Sequence, residues 1–177
     1  QVVKHDPQST LGATVIVDNL GNVSYDPSSA TGTQALDTDD IEQDSFTYSV
    51  TDFAGNLNTA TVTIAVSGIN DAPVVAGENV SGSEEGQISL NLLANDSDID
   101  ANDVLSVASF NTNDPGTFIS DKGATVSVGA DGSFSYDPSS SLELTSLLDG
   151  TSASETFSYE VSDGDIAVTG SVTVTIV

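Results

Sequence analysis

The stretch GATVIVDNLGNVSYDPSS, residues 12–29, returns as GATVSVGADGSFSYDPSS at residues 123–140. Tyr25 and Tyr136 stand 111 positions apart, and the same shift lays Phe46, Tyr48, Val50 and Asp52 onto Phe157, Tyr159, Val161 and Asp163. Agreement at one fixed offset across such separated segments marks an internal duplication. Within each copy the apolar residues alternate, as in Val15 and Val17, Val23 and Tyr25, Phe46, Tyr48 and Val50, or Val62, Ile64 and Val66. Period two over short runs describes half-buried strands. Turn pairs such as Asp131-Gly132 and Asp163-Gly164 separate the runs, and no stretch keeps a helical period. The chain reads as all-β.

The second copy has the length of an immunoglobulin-like sandwich, about 100 residues. Its seven strands are expected at A 73–80, B 87–94, C 103–110, D 124–129, E 133–138, F 155–162 and G 166–177. The first copy has only eleven residues before Gly12, where the second has everything from Pro73 to Lys122. It is expected to lack strands A, B and C, which come from upstream chain or from another chain. The domain reading is therefore tandem immunoglobulin-like β-sandwiches. Residues 1–68 form the C-terminal part of a sandwich incomplete at its N-terminus, 69–74 a linker and 75–177 a complete sandwich. Gly68 is expected to make the linker flexible. His5, the one histidine, falls in a terminal segment that reads as a poorly ordered tail.

Against 27 acidic residues the 177-residue chain has two cationic ones, Lys4 and Lys122, for a net charge of -25. Affinity for nucleic acid comes mainly from Lys and Arg on phosphates, so a nucleic-acid partner is excluded. No run approaches the ~20 apolar residues that a bilayer span needs, so membrane insertion is excluded as well. The absence of Cys removes thiol chemistry, and with one terminal His no Ser-His or Cys-His nucleophile can be assembled. Paired carboxylates could hydrolyse glycosides, but there is no Trp and few aromatic residues for sugar stacking. The chain is not expected to be an enzyme. The repeated Tyr-Asp-Pro-Ser-Ser reads as a packed Tyr followed by a turn.

Strand direction places the acidic loops. Loops BC, DE and FG of the second sandwich share its N-terminal pole, which collects Asp96, Asp98, Asp100 and Asp103, then Asp131, then Asp163 and Asp165. The EF loop of the first copy, DTDDIEQD at 37–44, falls at its C-terminal pole beside the linker SGINDAPV, 67–74. Two carboxylates ~4 Å apart repel by about 4 kcal/mol at an effective dielectric of 20, and no Arg or Lys is near in sequence to answer them. A cation from solution is expected. Calcium suits, because it takes 6 to 8 oxygen ligands in flexible geometry, whereas zinc would want His or Cys. The Asp96-x-Asp98-x-Asp100 run opens like an EF-hand loop, but Ala101 and Val107 stand where Gly and Glu are needed.

The segments NDAPV at 70–74, LLANDSDID at 92–100 and FSYEVSD at 157–163 resemble bacterial cadherin-like repeats of the VCBS type, found in tandem in large RTX-type adhesins of Gram-negative bacteria. The resemblance implies tandem immunoglobulin/cadherin-like β-sandwiches joined by a calcium-binding linker at 69–74, with calcium ligands at Asn70 and Asp71 in that linker and at the Asp98 and Asp100 pair. It also puts Asp40-Ile41-Glu42 where cadherins carry an Asp-Arg-Glu motif. Ala101-Asn102-Asp103 departs from the usual Gly-Asp, and Ile41 from the usual Arg. Glu84 and Glu85 would serve a further junction. With Asp163 and Asp165 of the FG loop, the expected Ca2+ ligands are Asp40, Glu42, Asn70, Asp71, Asp98, Asp100, Asp163 and Asp165. The function so implied is a calcium-rigidified extender of a secreted or cell-surface adhesin supporting adhesion or biofilm formation. Its partners would be neighbouring repeats of the same polypeptide or other copies of itself. The alternatives are a subunit of an extracellular filament assembled by strand donation and a ligand-binding adhesin module.

Overall fold

The computed structural model describes all residues from Gln1 to Val177. The chain divides into two compact units, Gln1–Asp71 with Ile99–Asn102, and Ala72–Asp98 with Asp103–Val177.

The first unit contains β1 (Val2–His5), β2 (Thr14–Val17), β3 (Val23–Asp26), a one-turn helix α1 (Thr31–Gln34), β4 (Ile41–Thr51) and β5 (Leu57–Ser67). The strands form a sheet of order β1-β4-β5 and a separate β2-β3 hairpin. The two hairpin turns are built alike. Asp18 Oδ1 accepts the N–H groups of Leu20 and Asn22, and Asp52 Oδ1 those of Ala54 and Asn56. Gly21 and Gly55 take φ of 91° and 86°, a conformation that costs glycine little. These donors hold both Asp side chains below the usual carboxylate range, with the Asn22 and Asn56 side chains the largest cause.

The second unit contains β6 (Glu78–Gly82), β7 (Ile88–Asn91), β8 (Ser106–Phe110), β9 (Thr117–Ile119), β10 (Thr125–Val128), β11 (Ser133–Asp137), a one-turn helix α2 (Leu142–Thr145), β12 (Ala153–Ser162) and β13 (Ala167–Ile176). Two four-stranded sheets, β7-β11-β10-β9 and β6-β13-β12-β8, face each other as a sandwich. All pairings are antiparallel except β6 on β13. Alternate residues meet between the sheets. Phe157 lies at the centre, 5.5 Å from Phe110 and 6.2 Å from Tyr136 between ring centroids, amid Val107, Val126, Val161, Val172 and Val174. Each such buried side chain contributes about 1.5–3 kcal/mol.

Several expectations need correction. Strand A does not start at Pro73: Val74 makes an isolated bridge with Ser97, and pairing on β13 begins only at Glu78. Strand B ends at Asn91 because the Asn91 side chain accepts the Leu93 N–H and turns the chain. Strand C begins at Ser106 rather than at residue 103, while strand F begins earlier, at Ala153. Nothing in the sequence pattern announces the short edge strand β9 or the helix α2. Val2–His5 is not a tail but a strand on β4, with His5 opposite Tyr48 and Val2 opposite Val50. In the second unit Phe110 and Val107 of β8 stand opposite Tyr159 and Val161. The first unit therefore has its strand C, and what it lacks are counterparts of β6, β7 and β9, the last reduced to a single bridge of Gln8 with Thr14. Gly68 is not a hinge by reason of freedom. A Cβ there would overlap the carbonyl oxygens of Leu36 and Asp37, so only glycine permits that close approach.

The duplicated Tyr has a duplicated partner. In the first unit Asp44, wholly buried, accepts from Tyr25 OH (2.7 Å), Thr10 Oγ1 (2.8 Å), Leu11 N–H (2.9 Å) and Ser45 N–H (2.7 Å). In the second, Glu155 accepts from Tyr136 OH, Ser120 Oγ (2.8 Å) and Lys122 N–H (2.9 Å). Burial alone would raise the Asp44 pKa, but the donors together hold it far below the usual range. Burial first, and the Asp44 carboxylate second, push the Tyr25 phenol up to about 12. The Tyr-Asp-Pro motif thus pins sheet to sheet, while its Asp26 and Asp137 accept the N–H groups of Ser28 and Ser139 in turns.

Candidate metal centre

In the second unit Asp98 and Asp103, on the connection between β7 and β8, converge with Asp163 in the β12–β13 turn. One carboxylate oxygen from each lies within 4.8 Å of the others, and all three residues are half-buried. Asp163 is fixed by its own turn, since its Oδ1 accepts the N–H groups of Asp165 and Ile166, both at 2.7 Å.

Two further carboxylates of this unit are held at a cost. Glu78 lies on the inward phase of β6, with one oxygen taking the Tyr159 OH at 2.5 Å; Asp96 takes the Ala76 N–H at 2.8 Å. Glu78 Oε1 and Asp96 Oδ2 are each buried without a hydrogen-bond partner. Burial raises both pKa values above the usual range, and for Glu78 the neighbouring Asp96 charge adds to the rise. Lys122, the one cationic side chain of this unit, is engaged by Glu143 at 2.9 Å. The all-oxygen donor set of Asp98, Asp103 and Asp163 suits a hard divalent cation and offers nothing to a metal that prefers nitrogen or sulfur.

The first unit carries a second pair. Asp100 is 3 % exposed, and its carboxylate comes within 4.8 Å of that of Asp37. Asp100 Oδ2 accepts the Asp71 N–H at 2.7 Å, so Asp71 contributes its backbone there. Asn70 Nδ2 donates to the Asp71 carbonyl at 2.8 Å.

Of the eight expected ligands, Asp98 and Asp163 are brought together, and Asp100 is placed beside Asp37. Asp40, Glu42 and Asp165 join neither group. Asp40 Oδ2 accepts the Asp37 N–H at 3.3 Å in a turn, Glu42 is exposed on β4 opposite Val66, and exposed Asp165 supplies its N–H to Asp163. Asp37 and Asp103 stand in the acidic loops without being among the expected ligands, and the half-buried Glu78 beside Tyr159 was not singled out. For Glu78 the sequence held a signal: it is in phase with Val80 on β6, where an apolar residue belongs.

A two-sheet sandwich with carboxylates gathered where loops meet defines an immunoglobulin- or cadherin-like β-sandwich module. The chain belongs to the bacterial cadherin-like domain family, which matches residues 70–177; a bacterial Ig domain family matches residues 2–65. Among solved structures it is similar to protocadherin gamma B2 extracellular cadherin domains 1–5, at 15% identity over 100% of this chain and 33% of that one, with a TM-score of 0.44. Mouse protocadherin-24 EC1-3 matches at 15% identity over 99% of this chain and 57% of that one, with a TM-score of 0.41. The chain spans less than two thirds of either structure. No curated protein matches it. No helix is long and apolar enough to cross a membrane.

Proposed function

We propose that the chain is part of a calcium-rigidified extender of an extracellular or cell-surface bacterial adhesin. The observation that carries this reading is the convergence of Asp98, Asp103 and Asp163 in a unit whose single lysine is engaged elsewhere. Calcium accepts several carboxylates at once and replaces their mutual repulsion with shared bonds. Asp98, Asp103 and Asp163 hold an ion in the second unit, Glu78 and Asp96 add oxygens to the same unit's anionic charge, and Asp37 with Asp100 serves the first. Both units border the linker around Asn70 and Asp71, so bound ions restrict its motion, and a row of such modules stands away from the cell.

Titration calorimetry of the full chain tests the assignment. The Asp98→Asn/Asp163→Asn double variant is expected to lose calcium affinity more than ~10-fold, since ligand charge sets the affinity of such sites. The amide that replaces the Asp163 carboxylate still accepts the turn's N–H groups through its oxygen, so the turn itself is kept. A Glu42→Gln/Asp165→Asn double variant is expected to bind as the parent does. Equal losses in both variants would rule out the three-carboxylate centre.

The strand-donation reading keeps one observation in its favour. In the first unit a groove of about 470 Å³ lies open along Val2, Val17, Val23, Tyr48 and Val50, and Val23 is 49% exposed where its counterpart Phe134 is 2% exposed.

A further inference from the structure

The second unit has another open edge, unrelated to its carboxylate pole. Strand β12 pairs with β13 along all ten residues, but β8 covers its other side only from Tyr159 to Ser162. Asn111 then closes one more position: its N–H donates to the Ser158 carbonyl at 2.8 Å and its Oδ1 accepts the Ser158 N–H at 3.0 Å. Beyond it Asn111 and Thr112 take φ of 47° and 65°, and the chain turns away towards β9.

Backbone groups on a strand alternate in direction, so Thr156 and Ser154 point their N–H and C=O to the same side as Ser158. No strand or loop bonds to that side of Thr156 or Ser154. They form one wall of a cleft of about 770 Å³, with Phe118, Ile119 and Phe157 as its apolar surface.

The first unit shows what this edge is shaped to take. Its counterparts of Ser158 and Thr156 are Thr47 and Ser45. Asp6 N–H donates to the Thr47 carbonyl at 3.0 Å and Thr10 N–H to the Ser45 carbonyl at 2.8 Å, while the Asp6 and Thr10 side chains accept the N–H groups of Thr47 and Ser45. The chain thus covers its own edge there. In the second unit a longer link, from Asn111 to Ser120 against Asp6 to Ser9, loops outward and leaves the edge bare.

We infer that this cleft is a docking site for an extended segment of a partner protein, added as a strand along Ser154–Ser158 and carrying Lys or Arg in alternation with apolar residues. Backbone pairing supplies the affinity in strand addition, and alternate side chains supply the selectivity. One set rests on Phe118. The charge of the other set follows from the rim, where Asp114, Asp121 and Glu143 face Lys122, already paired with Glu143. A second copy of this chain, with a net charge of -25 and two lysines, lacks the complementary charge.

The test uses the full chain and a blocked Lys-Val-Lys-Val-Lys peptide, read by amide hydrogen exchange. The Ser154 and Thr156 amides are expected to slow by more than ~10-fold, with little change elsewhere, since pairing removes them from solvent. A Glu-Val-Glu-Val-Glu peptide and an N-methylated Lys peptide are expected to leave both amides unchanged. Thr156→Pro removes one outward N–H without touching the β13 ladder, as edge positions tolerate, and is expected to abolish the effect. If that variant does not fold, the N-methylated peptide alone decides. Equal protection by the N-methylated peptide, or none from the parent peptide, overturns the proposal.

Discussion

About 10 mM calcium is expected to raise the thermal unfolding midpoint of the second unit by roughly 10 °C. Extracellular calcium modules bind with dissociation constants of about 10⁻⁴ to 10⁻³ M. Binding to the native state alone then adds ~1.4–2.7 kcal/mol, and in a domain of about 100 residues each kcal/mol moves the midpoint by about 4–8 °C. Scanning calorimetry in calcium and in chelator provides the comparison, and superimposable curves would remove calcium from the account.

Replacing Asp44 by Ala is expected to unfold the first unit while sparing the second. Four donors converge on that carboxylate, two of them backbone N–H groups and one the Tyr25 hydroxyl. The Ser45 N–H keeps Thr10 Oγ1 as an acceptor, and the three donors left without one cost about 1–3 kcal/mol each, about 3–9 kcal/mol in all. The first unit has little reserve, because the residues that β6 and β7 would cover are open in it. Tyr25→Phe removes one donor and is expected to cost about 1–2 kcal/mol. Amide exchange resolves the two units separately. A loss below ~1 kcal/mol in the Asp44 variant would show that the carboxylate is not what ties the two layers together.

The alternation in 155–162 and 166–177 was enough to place β12 and β13, because long strands between a core and solvent leave an unambiguous period of two. Val2–His5 was not legible. Lys4 and His5 break its polarity, and the different length of the link after it hides its correspondence with β8 from any single offset. The acidic pole was legible as a location, since strand direction alone brings the BC and FG loops together. Its membership was not. Asp163 and Asp165 look equivalent in sequence, yet the turn aims one carboxylate inward and spends the other residue's N–H to hold it there. Asp40 and Glu42 flank the start of β4, where the strand's own alternation and the turn with Asp37 settle their directions.

The central claim is that calcium stiffens the chain between its two units. Small-angle scattering of the full chain, first in about 10 mM calcium and then in excess chelator, measures this most directly. The account predicts a narrow, well-defined distribution of interatomic distances in calcium and a broader one in chelator, with the Asp98→Asn/Asp163→Asn variant resembling the chelated parent in both conditions. Identical distributions with and without calcium, in a chain that calorimetry shows to bind it, would contradict the account.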